Sequence, residues 1–249
     1  MTIISFEHRF IFVKTRKTAS TSIEAFLRRY ASEGDVITKL TPRDEKWCVE
    51  RGWPSGQYAA DRQVEREYMQ LCLDDRFEEA RALAKSARFL YASHMPASKI
   101  KKVLESAGYH WEDFYSFTVE RHPYSWLLSK LLYDNAAYSK HGACEIDLSD
   151  INKRAQIFLE SESLPKFLNS TMYTEDGRLL VSTIMRYENL QEDLLRVLTP
   201  LVGTPDLSDF PFLKKNAQNL SATDVFDTET LELLRHQVMS AFQYAGYEF

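Results

Sequence analysis

Apolar and polar positions along the chain form two kinds of pattern. Short apolar or β-branched runs predict buried strands, and stretches with apolar residues three or four positions apart predict amphipathic helices. The predicted strands are Arg9–Val13, Arg88–Ser93, Phe114–Val119 and Val181–Tyr187. The predicted helices are Ser22–Tyr30, Asp61–Ser86, Ala97–Ser106, Tyr124–Tyr133, Arg154–Leu168, Leu190–Leu201 and Thr228–Tyr244. This alternation predicts an α/β fold with a central parallel sheet flanked by helices on both faces.

A polar loop separates the first predicted strand from the first predicted helix. Residues 14–22 read KTRKTASTS, so ammonium, guanidinium and hydroxyl donors lie at the start of a helix, where its dipole is positive. This composition indicates a site for a phosphate-like anion. The chain has no glycine before Gly34, so the glycine-rich loop GxxxxGK[ST] is absent and side-chain hydroxyls would act in its place. A Ser/Thr-rich helix start beside surface lysines is the alternative interpretation.

A second strand-to-helix junction also presents a cation. Arg121 follows the strand predicted over 114–119, and Pro123 suits the first turn of the next helix. Ser129 lies eight residues after Arg121, two turns into that helix. A guanidinium and a hydroxyl are the donors that a second phosphate would need. The alternative is a surface ion pair between Arg121 and Glu120 or another neighbouring acid.

Together the two junctions resemble the sulfotransferases that use 3′-phosphoadenosine 5′-phosphosulfate as donor. Residues 17–22, KTASTS, are similar to the 5′-phosphosulfate loop of that family, and Arg121 with Ser129 to its 3′-phosphate motif. The resemblance is closest to the branch with heparan 2-O-sulfotransferases and bacterial relatives, and it extends to Arg186–Leu190 and Phe242–Tyr247. It implies a P-loop-like sulfotransferase fold in a single domain over residues 1–249.

The resemblance also implies roles for the residues of the two motifs. Lys17 would stabilise the charge that develops on the leaving phosphate, and Lys14 would replace it if the turn were shifted. Arg16 stands where the family usually has proline; it either adds a phosphate contact or faces solvent, and we favour solvent. The candidate donor-binding residues are Lys14, Arg16, Lys17, Thr18, Ala19, Ser20, Thr21, Ser22, Arg121, Ser129, Lys214 and Lys215. The last two follow Pro211, where related enzymes have a basic loop that closes over the nucleotide; a plain solvated loop is the alternative.

His94 is the candidate general base. It follows the predicted strand Arg88–Ser93, so we expect its ring at the same sheet edge as the phosphate loop. The usual histidine pKa near 6.5 suits proton abstraction at neutral pH. In the resembling branch a histidine directly after this strand acts as base, and His94 is the matching residue. The alternative is a histidine that caps the helix after Pro96.

The stretch 35–87 matches no part of the family pattern and is interpreted as a charge-rich insertion. Acids and bases alternate over 61–86, as expected for a solvated helix; a lid over the acceptor is the alternative. We expect the loop 35–56 to border the acceptor site. Trp47, Trp53 and Tyr58 would be available there to stack on a ring.

Composition limits the partners. The formal net charge of −5, from 31 Lys and Arg against 36 Asp and Glu, disfavours nucleic acid, an anionic membrane and a polyanionic saccharide, and favours a small neutral or cationic acceptor. The sequence shows neither an apolar run of membrane-spanning length nor a signal peptide, so a cytoplasmic location is predicted. Cys48, Cys72 and Cys144 have no disulfide or zinc spacing. A metal is not expected, because no Asp follows a strand where a magnesium-binding nucleoside triphosphatase has one.

Three functional hypotheses follow. The first is a sulfotransferase that moves the sulfuryl group to a hydroxyl or amine of a small molecule or saccharide. The second is an ATP-dependent phosphotransferase, disfavoured by the absent glycine loop and metal carboxylate. The third is a nucleotide-binding regulator without catalysis, which Lys17 and His94 disfavour.

Overall fold

The computed structural model describes residues 2–138, 148–213 and 220–247. Its strands, in chain order, are β1 (Thr2–Ser5), β2 (Phe10–Val13), β3 (Val36–Ile37), β4 (Tyr115–Glu120), β5 (Thr174–Glu175), β6 (Arg178–Leu179) and β7 (Thr183–Arg186). Five of them form one sheet in the order β3-β1-β2-β4-β7, and β5 pairs with β6 in a separate hairpin. Three of the four predicted strands are confirmed as β2, β4 and β7.

The central sheet is mixed, so the prediction of a parallel sheet is corrected. β2 and β4 are parallel, as are β4 and β7, but β1 is antiparallel to both of its neighbours. The reason is the short turn over residues 6–9, which reverses the chain between two adjacent apolar runs and makes β1 and β2 a hairpin. The sequence analysis assigned no strand to the first of these runs.

The predicted strand Arg88–Ser93 is wrong. The side of β2 that it would occupy is taken by β1. The segment is irregular instead and lies against the stretch that follows β3: Phe89 forms a single bridge with Ala59, and the N–H of Leu90 donates to the carbonyl of Tyr58 at 2.9 Å. Phe89 and Tyr91 therefore pack in the core without joining the sheet, whereas Leu90 is 43% exposed.

The predicted helices are present, but two of them are interrupted, and the stretch 35–56, which was expected to be a loop, contains a helix over Pro42–Val49. The helix predicted over Asp61–Ser86 is two helices, because Asp75 has φ 60° and the N–H of Arg76 bonds back to the carbonyl of Leu71 at 2.9 Å. The helix predicted over Arg154–Leu168 is likewise interrupted before Leu164. The described helices are α1 (Ser20–Leu27), α2 (Pro42–Val49), α3 (Arg62–Leu73), α4 (Phe77–Ser86), α5 (Ala97–Ser106), α6 (Pro123–Tyr138), α7 (Leu148–Leu159), α8 (Leu164–Phe167), α9 (Ser170–Tyr173), α10 (Leu190–Val202), α11 (Ala222–Val225) and α12 (Thr228–Phe242). None of them is long and apolar enough to cross a bilayer.

Both faces of β2 are buried, as expected for a strand inside a covered sheet. Phe10 and Phe12 pack with residues of α1 and α10 on one face, and Ile11 and Val13 pack with residues of α5 on the other. A further core joins α6, α7 and α12 around Trp126. Because β2, β4 and β7 are parallel, their carboxyl ends lie at one edge of the sheet, where a ligand site is expected.

A buried ion network ties α1 to the segment 35–56. The Arg28 guanidinium donates to Glu24 at 3.3 Å and to Glu45 at 3.1 Å, and all three side chains are fully buried. It also donates to the carbonyl of Thr38 at 3.0 Å. Burial alone would lower the pKa of Arg28, but the attraction of Glu45 and Glu24 outweighs it and raises that pKa. The network thus fixes the helix that begins at the phosphate loop.

Candidate functional site

The two cation-bearing junctions form one site. Parallel pairing of Phe12 with Phe117 places the ends of β2 and β4 side by side. The Thr15 hydroxyl donates to the carbonyl of Val119, and an Nη of Arg121 donates to the carbonyl of Lys17 at 3.2 Å. The two motifs are therefore in direct contact, although about a hundred residues separate them along the chain.

A cavity of about 580 Å³ lies over these junctions. Residues from both motifs and from α6 line it, and every described candidate from the sequence analysis is among them. The lining residues that this site shares with the sequence analysis are Lys14, Arg16, Lys17, Thr18, Ala19, Ser20, Thr21, Ser22, His94, Arg121 and Ser129. Lys214 and Lys215 lie outside the described residues.

The loop over residues 14–22 adopts left-handed backbone conformations without containing glycine. Lys17 has φ 64° and Ala19 has φ 54°, both in the left-handed region, which costs on the order of 1 kcal/mol or more for each such residue. Hydrogen bonds within the loop offset this cost: the Thr15 and Thr18 hydroxyls are 2.9 Å apart, and Ser20 Oγ donates to the carbonyl of Thr15 at 2.7 Å. Hydroxyls that the sequence analysis assigned to the phosphate thus also hold the loop itself.

The start of α1 offers a row of backbone donors. In the described part of the chain, the N–H groups of Thr18, Ala19, Ser20 and Thr21 have no protein acceptor, whereas the next two bond to the carbonyl of Ala19. Such consecutive N–H groups at a helix start form an anion-binding concavity. The loop therefore supplies backbone donors, as a glycine-rich loop does, in addition to side chains.

Lys17 and Lys14 have different surroundings. The Lys17 ammonium lies 3.9 Å from the centre of the Tyr133 ring, on the side of the cavity formed by α6. Lys14 is buried, and its ammonium contacts Thr21 Oγ1 at 3.1 Å and Glu24 at 3.5 Å. Because Lys14 is bound to a buried carboxylate, this geometry favours Lys17 over Lys14 for contact with a leaving phosphate.

Arg121 is a partly buried cation, and no carboxylate of the described residues forms an ion pair with it. Its Nε donates to Ser125 Oγ at 3.0 Å, and its guanidinium lies 4.2 Å from the centre of the Tyr187 ring. Burial lowers the pKa of Arg121. The alternative of an ion pair with Glu120 is not observed. Ser129 lies on the same cavity wall and is 8% exposed.

The Glu120 carboxyl faces away from the cavity and supports the loop from behind. It accepts hydrogen bonds from Asn169 Nδ2 at 2.8 Å and from the Tyr173 hydroxyl at 2.9 Å, and burial raises its pKa to about 7. Asn169 in turn bonds to both the N–H and the carbonyl of Arg16, at 2.7 and 3.0 Å. Sequence reasoning missed Asn169 because no local pattern signals a contact 153 residues away. Sequence reasoning also missed Ser125. Its position one helical turn before Ser129 was a local pattern that could have indicated it.

His94 lies at the cavity despite the absence of the predicted strand. Its Nδ1 is 3.3 Å from the carbonyl of Lys14, and its φ of 55° is left-handed. Since a carbonyl only accepts, Nδ1 carries the proton and Nε2 keeps its lone pair. Burial, with smaller contributions from the charges of Lys14 and Arg16, lowers the pKa of His94 to about 2. The ring is therefore neutral and a weaker base than the usual histidine pKa near 6.5 implied, and its role as general base stays a prediction.

Arg16 does not face solvent, contrary to the expectation. Its side chain is half-buried and lines the cavity, with Nη1 3.5 Å from Met172 Sδ and Cζ 5.9 Å from the centre of the Phe167 ring. The two backbone bonds from Asn169 hold it there. Burial lowers the pKa of Arg16.

The segment 35–87 contributes no residue to the described cavity lining. Trp47 and Trp53 pack against each other with their ring centres 5.8 Å apart, and Tyr58 is buried in the core. None of these three aromatic side chains is among the described residues that line the cavity, so this geometry gives no support to the expected stacking on an acceptor. The segment instead holds α1 through Arg28.

Two further segments of the resemblance meet at the Arg121 junction. Glu188 accepts from the N–H of His122 at 2.9 Å and from the Tyr247 hydroxyl at 2.5 Å. Arg186 donates to the carbonyl of Gly246 at 2.6 Å. Gly246 has φ 66°, a left-handed conformation that favours glycine, and a Cβ there would lie 2.7 Å from the Arg186 guanidinium, which would have to shift. These contacts stabilise the start of α6.

The cavity is cationic although the chain is acidic. Five Lys and Arg residues are among the described lining residues, and Asp134 is the one acid among them, at 2.7 Å from Lys130. The local charge of the described cavity lining is therefore opposite in sign to the net charge of −5.

Comparison of the chain with protein-family models, with curated proteins and with solved structures found no match. The functional conclusion therefore depends on the residues and geometry of this chain.

Proposed function

We propose that this protein is a sulfotransferase that moves the sulfuryl group of 3′-phosphoadenosine 5′-phosphosulfate to a hydroxyl or amine of a small molecule or saccharide. The observation that carries the proposal is that two separate cationic junctions line one cavity of about 580 Å³. A donor with phosphates at both its 3′ and 5′ positions needs two such groups of donors within reach of one molecule.

The residues present fit this donor. The N–H groups of Thr18–Thr21 and the Lys17 ammonium would hold the 5′-phosphosulfate, since they form an electropositive concavity at a helix start. Arg121 and Ser129, on the neighbouring wall, would hold the 3′-phosphate. The donor supplies the sulfuryl group, and the protein supplies its position and charge.

The reaction then needs one bond broken and one formed. The bond between sulfur and the bridging oxygen of the 5′-phosphate breaks, and its electron pair leaves with adenosine 3′,5′-bisphosphate. The acceptor oxygen or nitrogen forms the new bond to sulfur and loses its proton to His94 Nε2. Lys17 offsets the charge that develops on the leaving oxygen.

Calorimetric titration with adenosine 3′,5′-bisphosphate and with ATP–Mg²⁺ tests the proposal. We expect the bisphosphate to bind more tightly, because Arg121 is placed for a 3′-phosphate that ATP lacks. Preference for ATP–Mg²⁺ would overturn the proposal in favour of a phosphotransferase. Tight bisphosphate binding without turnover on any acceptor would favour the catalytically inactive regulator.

The Arg121→Ala variant is expected to bind adenosine 3′,5′-bisphosphate about 10- to 100-fold more weakly, because charge-assisted hydrogen bonds to one phosphate are lost. Adenosine 5′-phosphate lacks the 3′ group, so its affinity should change little. Titration of both nucleotides measures the difference. Equal losses for the two nucleotides would show that Arg121 does not contact the 3′-phosphate.

The His94→Gln variant is expected to lower kcat by about 100-fold or more at neutral pH while leaving bisphosphate affinity within about twofold, since general-base catalysis typically contributes that much. Replacement of the exposed His236 by Gln is the control and should leave kcat unchanged. Full turnover in His94→Gln would remove the base assignment.

The His94→Gln variant also tests whether the His94 ring is neutral in the protein without bound nucleotide. The unfolded chain takes up a proton near pH 6.5, whereas the folded pKa of His94 is about 2. Between these values the unfolded state binds more protons, so folding stability falls as pH falls. Wild type should therefore lose up to about 1.4 kcal/mol relative to His94→Gln for each pH unit below 6.5, measured by denaturant unfolding. A constant difference would contradict a buried neutral ring.

A further inference from the structure

Arg16 is a cation of the cavity wall that the donor-binding scheme leaves unused. Its side chain is half-buried, and the described acids give it no ion-pair partner. The contacts of its guanidinium are the Met172 sulfur at 3.5 Å and the Phe167 ring at 5.9 Å, neither of which offsets its charge as a carboxylate would. A guanidinium in this setting has several N–H donors ready for a ligand.

Arg16 is also held in place from behind. Asn169 accepts from its N–H at 2.7 Å and donates to its carbonyl at 3.0 Å, and Asn169 itself is fully buried and bonded to Glu120. The backbone from which the side chain extends is therefore fixed. A fixed backbone reduces the conformational entropy that Arg16 loses when a ligand binds.

The wall beside Arg16 is aromatic, and a second cation lies close to it, since the Lys130 ammonium is 4.6 Å from the centre of the Phe167 ring. Phe167 is 37% exposed, and Tyr133 and Phe212 also line the cavity with exposed rings. His94 lines the same cavity, and the positive charge of Arg16 contributes to the lowered pKa of His94. A ligand that contacts Arg16 therefore also meets an aromatic wall and the candidate base.

We infer that Arg16 is a specificity-determining residue of the acceptor site and that the acceptor carries a carboxylate on an aromatic or apolar body, with its reacting hydroxyl presented to His94. The inference rests on the proposed function. Arg16 binds the carboxylate through paired hydrogen bonds, and the body of the acceptor packs on Phe167. It revises the expectation of a neutral or cationic acceptor, because the charge of the cavity lining is opposite to that of the whole chain.

The group transfer balances without a further reactant. The acceptor hydroxyl oxygen bonds to sulfur, its proton passes to His94 Nε2, and adenosine 3′,5′-bisphosphate leaves with the electron pair of the broken bond. The acceptor carboxylate stays intact and serves only for binding.

Binding of matched acid and amide probes tests the inference. The probes are 4-hydroxybenzoate, 4-hydroxyphenylacetate and 3-(4-hydroxyphenyl)propionate, each paired with its neutral amide. They are titrated into the protein saturated with adenosine 3′,5′-bisphosphate. We expect at least one acid to bind about tenfold or more tightly than its amide, because a guanidinium distinguishes a charged acceptor from a neutral one. The same preference should appear in kcat/KM with the sulfated donor.

Variants assign the preference to Arg16. Arg16→Met should reduce it to within about twofold while leaving bisphosphate affinity within about twofold, and Arg16→Lys should restore part of it. Arg178→Met removes an exposed cation on β6 and serves as the charge control, with the preference unchanged.

Each outcome decides between the proposals. If the wild type binds the bisphosphate but treats every acid and its amide alike, the carboxylate inference is wrong and the donor assignment stands. A preference that persists in Arg16→Met also overturns the inference. If Arg16→Met weakens bisphosphate binding tenfold or more, Arg16 belongs to the donor site. A wild type that does not bind the bisphosphate overturns the proposed function and this inference with it.

Discussion

Replacing Lys17 with alanine is expected to lower kcat by about 100-fold or more, because removal of one charge-stabilising donor typically has an effect of that size. The affinity for adenosine 3′,5′-bisphosphate should fall less, since the N–H groups of Thr18–Thr21 and Arg121 still hold the phosphates. The reason for this split is that the leaving oxygen gains charge mainly in the transition state. Single-turnover kinetics and calorimetric titration measure the two quantities separately.

Two controls sharpen the Lys17 experiment. Lys85→Ala removes an exposed lysine at the end of α4 and should leave kcat unchanged. Lys17→Arg keeps the charge and should recover part of kcat. A Lys17→Ala variant with unchanged kcat would contradict the leaving-group role. If its affinity for the bisphosphate fell while kcat stayed unchanged, Lys17 would contribute ground-state binding alone.

The local parts of the fold could be predicted from the sequence. β2, β4 and β7 are apolar runs between turn signals, and α5 spans Ala97–Ser106 as its periodicity predicts. The prediction of a parallel sheet was wrong because it did not include β1, a run of four residues next to a chain reversal. A search for strands that alternate with helices does not favour so short a run. The false strand over 88–93 has the apolar composition of a strand but lacks a free neighbour in the sheet, and that is a tertiary property.

The candidate site could be predicted in its residues but not in its internal bonding. Composition identified the loop 14–22 and Arg121 because each follows a strand, and Ser129 because it lies two turns into the helix that begins after Arg121. It could not show that Thr18 and Ser20 hold the loop, nor that Arg16 enters the cavity. Those facts depend on contacts with residues such as Asn169, which are distant in sequence.

Arg28 is where the largest loss of stability is expected. Arg28→Ala leaves Glu24 and Glu45 as two buried carboxylates without their shared cation, and breaking a buried pair in this way costs about 3–5 kcal/mol. The variant should recover part of this loss as pH falls, because its buried carboxyls can then take up protons and become neutral. Denaturant unfolding at pH 7 and pH 5 measures both effects.

The matched control for Arg28 is Arg66→Ala, which removes an exposed arginine of α3 bonded to Gln63 and should leave the unfolding midpoint nearly unchanged. The triple variant Arg28→Met, Glu24→Gln, Glu45→Gln removes the charges together and should regain much of the stability lost in Arg28→Ala. A stability loss below about 1 kcal/mol in Arg28→Ala, the range typical of exposed ion pairs, would mean that water reaches this network and that it does not fix α1.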